Sequence, residues 1–163
     1  GTPTAKRPSE RIVLWHALYG SVHERTGSRR EGSAVSLRFA VTQKAVLLGP
    51  EPEERLLLLE NENGVWELPG GQLRVGEQPI PGLKRAIRDT TGLDASVDGP
   101  VLNSAWQIDE GGAFASIYRA HSPTEQATLA GDHVRAVWLD PAAAVERDLN
   151  DTQKRAIHRS GLL

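Results

Sequence analysis

Short runs of apolar residues, several of them alternating with polar residues, recur along most of the chain and predict β-strands. The run at 55–60 contains four leucines, and its short apolar length predicts a buried strand, although its periodicity alone is equally consistent with a helix. A polar, glycine-containing stretch separates the runs on either side of residues 109–112, and this arrangement favours a hairpin. Strands are therefore predicted at 34–41, 45–48, 55–60, 65–68, 94–97, 101–108, 113–120 and 133–139.

Apolar residues at helical spacing predict the helices. Ile12, Trp15, Tyr19 and Val22 mark one face of a helix that runs from about residue 9 to residue 25. A second helix is predicted over 79–91, a short one from 140 to about 149, and a last one after Asn150, which stands with Gln153 at the spacing of a capping pair. Strands before and after a central helix, with helices at both ends, predict a mixed sheet covered on two faces.

The stretch 65–93, VWELPGGQLRVGEQPIPGLKRAIRDTTGL, is the most informative part of the sequence. Pro69 ends a short strand, and Gly70-Gly71 allows a turn whose backbone can come close to a ligand. Pro79 suits the first turn of a helix, and Gly92 suits a left-handed end. The unit is predicted to run strand, glycine turn, polar loop, helix and glycine stop.

The spacing of this unit resembles the Nudix box. The pattern is a glycine, five residues, a glutamate, seven residues and an arginine, followed by an aliphatic residue and a closing glycine–aliphatic pair. The positions that match are Gly71, Glu77, Arg85, Ile87, Gly92 and Leu93. The resemblance implies an α/β fold (α+β in some schemes), a Nudix-type α/β/α sandwich with a mixed central sheet. It also implies hydrolysis of a nucleoside diphosphate linked to another group, with Mg²⁺ or Mn²⁺ as cofactor.

The box is degenerate where the family carries three helix glutamates, because Ala86, Asp89 and Thr90 occupy those positions. Residues at this spacing share one helical face, so the family's carboxylates can build one metal site. Here the face offers one carboxylate, one hydroxyl and one methyl group. The segment 85–90 is also net positive, which disfavours a dication but suits direct contact with a phosphate.

Carried over by position, the resemblance implies a set of site residues. They are Glu77, Arg85 and Asp89 as catalytic residues, Gly70, Gly71 and Arg88 as substrate-binding residues, and Asp89, Glu77 and Gly71 as metal ligands. Glu77 is also predicted to form an ion pair with Arg85, since both survive in register. A replacement acid is sought outside the box, at Asp109 or Glu110 first and at Glu125 or Asp132 second.

The composition limits the classes of binding partner that we expect. With 163 residues, a net charge of −2 and no cysteine, the chain predicts a single globular domain without disulfides and with no general attraction to nucleic acid or membranes. Residues 1–33 are interpreted as an extension and 34–163 as the Nudix domain. We expect a cytoplasmic protein whose partner is a small-molecule nucleotide or diphosphate ligand, and a homodimer is left open.

Three functions remain open at this point. The first is a Nudix hydrolase with an altered, weak metal site. The second is a catalytically inactive Nudix-fold domain that binds a nucleotide or phosphorylated metabolite, without a metal cofactor. The third is an interaction domain. Trp106 and Phe114 could stack on a base, although strand aromatics of this kind more often lie in a core.

Overall fold

The computed structural model describes residues 38–163, which form seven strands and three helices. The predicted helix at 9–25 and residues 34–37 lie outside this range. The strands are β1 (Phe39–Leu48), β2 (Leu56–Asn61), β3 (Trp66–Glu67), β4 (Gly70–Gln72), β5 (Ser96–Ile108), β6 (Gly111–His121) and β7 (His133–Leu139). The helices are α1 (Pro79–Thr91), α2 (Pro141–Ala144) and α3 (Asp151–Arg159). Of these helices, none is both long and apolar enough to span a membrane.

All seven strands belong to one mixed sheet. Its main order is β3-β2-β1-β6-β5, with β7 paired to β2 and β4 paired to β1. Strand β1 runs parallel to β6 from the pair Phe39–Gly112 to the pair Leu48–His121, while the other pairs are antiparallel. The predicted mixed sheet is therefore confirmed.

Side chains of β1 alternate between two apolar cores. Val46 and Leu48 face the core that contains Ile157 of α3, whereas Ala45 and Leu47 face the core that contains Leu83 and Ile87 of α1. Complete burial of Leu83 or Ile87 stabilises the packing of α1 by about 1.5–3 kcal/mol each. Helices α2 and α3 cover one face of the sheet and α1 covers the other, which confirms the predicted α/β/α layering.

The strand and helix bounds differ from the predictions in four places. The strands predicted at 34–41 and 45–48 are, within the described residues, one strand, β1. Residues 70–72 form strand β4 on the edge of β1, although Gly70-Gly71 was predicted as a turn. The strands predicted at 94–97 and 101–108 are one strand, β5, which continues through two irregularities in its pairing with β6. The helix predicted to run to about residue 149 ends at Ala144, and turns and bends follow it.

The C-terminal helix is capped as the sequence predicts. The Asn150 side chain accepts a hydrogen bond of 2.9 Å from the backbone N–H of Gln153. Gln153 does not complete the reciprocal capping pair, because its Oε1 accepts the backbone N–H of Leu68 at 2.6 Å. The buried side chain of Gln153, in the first turn of α3, therefore hydrogen-bonds the segment that leads into the box.

The sheet divides between β1 and β2, which share only the pair Leu48–Leu56. A buried ion pair spans the gap: Lys44 Nζ of β1 lies 3.0 Å from Glu67 Oε2 of β3, and each side chain is only 5% exposed. The other oxygen of Glu67 lies 2.5 Å from His133 Nε2 of β7. These three side chains tie together three strands around the turn at Gly70.

Electrostatics keeps Glu67 ionised in this buried position. Burial alone would raise the pKa of the Glu67 carboxyl, but the charge of Lys44 and the hydrogen bond from His133 oppose it. The balance holds the pKa of Glu67 below its ordinary value. Removal of either charge would leave the other one buried without its counter-ion, and this strongly destabilises the folded state.

We therefore expect Glu67→Leu alone to lower the free energy of unfolding by about 3–5 kcal/mol, because Lys44 stays buried opposite an apolar side chain. The double variant Lys44→Met/Glu67→Leu removes both charges and should recover most of that loss. Urea unfolding of the wild type, both single variants and the double variant measures the coupling. A double variant as unstable as Glu67→Leu would contradict the assignment.

Candidate active site

Gly70 and Gly71, the first residues of β4, lie where the backbone of β1 and helix α1 come very close. A Cβ on Gly70 would lie 2.0 Å from the carbonyl oxygen of Gln43, and the φ of Gly70 is +156°. A Cβ on Gly71 would lie 3.1 Å from the Cβ of Ala86 in α1. The turn thus packs β4 between β1 and α1, and this brings the predicted ligand-binding backbone beside the helix face of the box.

Local sequence sets the bounds of α1. Gln78 precedes the helix in an extended conformation, and Pro79 opens it. Gly92 ends it with a φ of +71° and donates its backbone N–H to the Arg88 carbonyl at 2.8 Å. The predicted range of 79–91 is confirmed.

Arg85 is the hub of the box. Its guanidinium lies 2.6 Å from Glu77 Oε2 and 3.0 Å from Glu77 Oε1, which confirms the predicted ion pair. It also donates to the carbonyl oxygen of Gln72 at 2.9 Å and to Asp89 at 3.3 Å. Glu77 in turn accepts the backbone N–H of Arg74 at 2.8 Å. One planar side chain therefore holds β4, the loop and α1 in a fixed relation.

The same network keeps both partners charged. The hydrogen bond from Arg85 is the largest influence on Glu77 and, with the Arg74 backbone N–H, lowers the pKa of that carboxyl. The hydrogen bond from Glu77 raises the pKa of Arg85 despite partial burial. Glu77 therefore stays an anion whose two oxygens both accept hydrogen bonds inside the loop.

The helix face predicted to bind metal carries few potential ligands. Ala86 is 4% exposed and packs toward Gly71, while the side chain of Asp89 is 57% exposed. At Thr90 the backbone carbonyl accepts the N–H of Ala130 at 2.9 Å, so the loop that precedes β7 covers the end of the helix. Within residues 38–163, no three Asp, Glu or His side chains are grouped so that they could hold a metal ion.

The positive charge of the helix segment is largely compensated. Arg85 is bound by Glu77 and Asp89, and Arg88 Nη2 lies 3.2 Å from Asp94 Oδ1. Arg88 remains on the surface, with 59% of its side chain exposed. Direct phosphate contact through Arg88 would therefore compete with a weak surface ion pair, whereas Arg85 would have to leave its loop.

The later acids lie at different parts of the domain. Asp109 is at the tip of the β5–β6 hairpin, beside Phe39, and Glu110 is next to it in the turn. Glu125 forms an ion pair with Arg55. Asp132 follows the loop whose Ala130 contacts Thr90, and its own carbonyl oxygen accepts the backbone N–H of Glu62 at 3.2 Å. The choice among these acids as a replacement ligand stays a prediction.

Several residues around the site were not singled out from the sequence. Lys44, Glu67 and His133 come from three strands that are distant along the chain, although a lysine inside the apolar run of β1 was a signal. Gln43 also anchors the box, because its Nε2 donates to the Pro79 carbonyl at 2.9 Å. Trp106 and Phe114 were expected in a core, and both are only partly buried.

A glycine turn, a loop and a helix set against a mixed sheet define the class of α/β/α sandwich that the sequence predicts. A protein-family model of the NUDIX domain matches residues 38–160. The chain therefore belongs to the Nudix family.

Individual relatives agree with this assignment. The chain is 31% identical over 94 residues to a MutT-like protein of Streptomyces ambofaciens, in a match that covers 57% of this chain and 60% of that protein. It is 28% identical over 105 residues to the CTP pyrophosphohydrolase of Escherichia coli (strain K12), covering 64% and 73% respectively. The crystal structure of a MutT protein from Methanosarcina mazei Go1 shares the fold, with a TM-score of 0.66, 16% identity and coverage of 77% and 95%.

If the planar guanidinium of Arg85 holds the loop before α1 in place, Arg85→Lys should loosen that loop. An ammonium group cannot bind Glu77 and the Gln72 carbonyl in the same geometry. A loss of about 1 kcal/mol of local stability should speed hydrogen exchange at the Arg74 amide by roughly fivefold. Arg88→Lys is the matched control, because its surface pair with Asp94 contributes little. Equal exchange in both variants would exclude this role for Arg85.

Proposed function

We propose that this protein binds a nucleoside diphosphate-linked small molecule at the box and hydrolyses it slowly, through a site that holds at most one weakly bound divalent cation. The proposal rests on one contrast: the loop and helix of the box are well ordered around Arg85, but the helix face beside them carries a single carboxylate. The loop and helix of the box are held in place through Glu77, Arg85 and the Gln72 carbonyl. The helix face that would supply carboxylates keeps Asp89 alone.

The residues present fit one Mg²⁺ or Mn²⁺ ion better than two. Magnesium is commonly held by one or two carboxylates together with waters and substrate phosphates. Asp89 could supply one carboxylate and Thr90 a hydroxyl, and Gly71 could add a carbonyl oxygen. We assign no metal contact to Glu77, because its oxygens already accept hydrogen bonds from Arg85 and from the Arg74 backbone. A bound cation would neutralise the diphosphate and activate water.

The chain's own residues have simpler roles in this proposal. Gly70 and Gly71 offer backbone without side chains to the diphosphate, and at Gly70 a side chain would also collide with the Gln43 carbonyl oxygen. Arg85 positions the loop and Asp89 by its hydrogen bonds rather than by contact with substrate. Arg88, exposed on the helix, is the cation with the most freedom to meet a phosphate.

A second candidate is ligand binding without turnover, and the burial of Ala86 favours it. Ala86 is 4% exposed and its Cβ faces the position of Gly71. The methyl group fills space at the junction of the turn and the helix, so the box is packed as a structural unit at this point. Such a domain would recognise the same class of ligand and leave it intact.

Two measurements distinguish slow hydrolysis from binding without turnover. The first is Mg²⁺ binding by calorimetry. The second is turnover of CTP and of nucleoside diphosphate derivatives, with and without Mg²⁺ or Mn²⁺. We expect weak Mg²⁺ binding and slow or undetectable turnover in the unmodified protein. Ala86→Glu/Thr90→Glu should tighten Mg²⁺ binding at least about tenfold, which is about 1.4 kcal/mol. Thr90→Glu alone is a milder variant, because Thr90 is less buried than Ala86.

The matched control is Lys84→Glu, which changes the net charge as much as the double variant does but lies on the opposite side of α1. Equal gains in Mg²⁺ binding would show that general charge, and not the box face, is responsible. Brisk Mg²⁺-dependent hydrolysis by the unmodified protein would contradict a reduced site. Its loss on Asp132→Asn, but not on Asp109→Asn, would then identify a relocated ligand. Thermal stabilisation by a nucleotide without turnover would favour the second candidate.

A further inference from the structure

The turn between β2 and β3 carries the pair Asn63-Gly64 on the surface of the protein. Gly64 adopts a φ of +77°, the left-handed conformation that closes this turn. An asparagine side chain that precedes a glycine is open to attack by the backbone nitrogen of the glycine, because no Cβ obstructs the approach. The turn therefore brings together a side-chain amide and a nucleophile that could react with it.

The chain contains four asparagines, and their side chains are held to different degrees. Three of them accept hydrogen bonds. Asn103 accepts the hydroxyl of Ser116 at 2.7 Å, Asn150 caps α3, and Asn61 binds the backbone of the turn. Asn63 is exposed, and its side chain has no hydrogen-bond partner among residues 38–163. Asn63 is therefore the asparagine whose side-chain amide is most free to react.

Asn61 holds the turn closed from the buried side, where it is only 4% exposed. Its Oδ1 accepts the backbone N–H of Asn63 at 2.9 Å and that of Val65 at 3.0 Å. Its backbone carbonyl accepts the N–H of Gly64 at 3.0 Å. The nitrogen that would attack Asn63 must break this last hydrogen bond and lose its proton before it reacts. The contacts of Asn61 therefore oppose the reaction.

We propose that Asn63 is a site of spontaneous deamidation and that Asn61 limits its rate in the folded protein. The Gly64 nitrogen forms a bond to Cγ of Asn63, and the side-chain NH₂ group leaves with the Gly64 proton as ammonia. A cyclic succinimide remains. Water then opens this ring at either of its two carbonyl carbons and gives aspartate or isoaspartate. The only co-reactant is water.

The two products affect the hairpin differently. Aspartate adds a negative charge at an exposed position and leaves the backbone unchanged. Isoaspartate routes the chain through the former side-chain carbonyl carbon, which adds a methylene group to the backbone of the turn. Leu59 of β2 pairs with Glu67 of β3, so a longer turn disturbs the register that places Glu67 against Lys44. Isoaspartate at residue 63 therefore acts on the buried ion pair.

Peptide mapping by mass spectrometry, after incubation of the full chain in ¹⁸O-labelled water at mildly alkaline pH, measures conversion at each asparagine. We expect Asn63 to convert faster than Asn103 and Asn150 in the native protein. Unfolding in urea should speed the conversion of Asn63 at least about tenfold, because the turn is then open. Faster conversion at Asn103 or Asn150 in the native protein would overturn the proposal, and so would equal rates for Asn63 in the native and unfolded chains.

Variants at Asn61 test the restraint itself. Asn61→Ala should speed conversion of Asn63 at least about fivefold, since the turn loses its side-chain hydrogen bonds. Asn61→Asp is the matched control, because its carboxylate keeps an acceptor for the same N–H groups and should keep the rate close to that of the wild type. An unchanged rate in Asn61→Ala, with the fold verified by circular dichroism, would overturn the restraint. If Asn61→Ala does not fold, the comparison of native and unfolded wild type decides.

Urea unfolding tests the effect on the ion pair. Protein enriched in isoaspartate at residue 63 should unfold at lower urea than Asn63→Asp, which has the same charge and an unchanged backbone. Equal midpoints would contradict the effect on the register of β2 and β3.

Discussion

The division of the sheet between β1 and β2 is the constraint on which the rest of this structure depends. The two strands pair at a single position, so the segment 66–72 has to cross from one to the other. Lys44 and Glu67 bridge this gap by a buried ion pair, and His133 extends it to β7. Such a pair adds little to net stability but favours one geometry, because either charge alone would be costly. Gly70 and Gly71 come three and four residues after Glu67, so the ion pair with Lys44 holds the start of β4 beside β1.

Strand β4 then sets the position of α1 relative to the sheet. A side chain at Gly70 would collide with the Gln43 carbonyl oxygen, and a side chain at Gly71 would make a tight contact with Ala86. Arg85 then locks the loop to the helix through Glu77 and the Gln72 carbonyl. The residues that shape the box are present, whereas the carboxylates that would charge it are reduced to Asp89 on an exposed part of the helix.

Local signals made α1 predictable from the sequence. Pro79 and Gly92 mark its two ends, and Leu83 and Ile87 give its buried face, so the predicted range agrees with the structure. The ion pair of Glu77 with Arg85 was accessible for a similar reason, since it lies within one motif. Strand β4 was missed because Gly70-Gly71 is typical of a turn, and only pairing with β1 makes it a strand.

Contacts between distant segments set the limit of prediction. Nothing in the sequence near Glu67 indicates that Lys44 and His133 will be its partners. The position of the later acids was equally inaccessible, because the loop before β7 reaches α1 through backbone hydrogen bonds at Thr90 and Thr91. Ala127 and Leu129 of this loop also pack against the core that contains Leu83 and Ile87, but two small or single apolar residues in a polar loop do not show which helix they will meet.

Paramagnetic broadening by Mn²⁺ in a ¹H–¹⁵N correlation spectrum of the unmodified protein tests the proposed weak cation position most directly, because it reports both its place and its affinity. We expect broadening to be centred on the amides of Asp89 and Thr90 and to require Mn²⁺ on the order of millimolar, as for a site with one carboxylate. Saturable broadening at micromolar Mn²⁺, or broadening centred at the hairpin tip around Asp109, would contradict the central claim that the box retains its scaffold and one weak cation position.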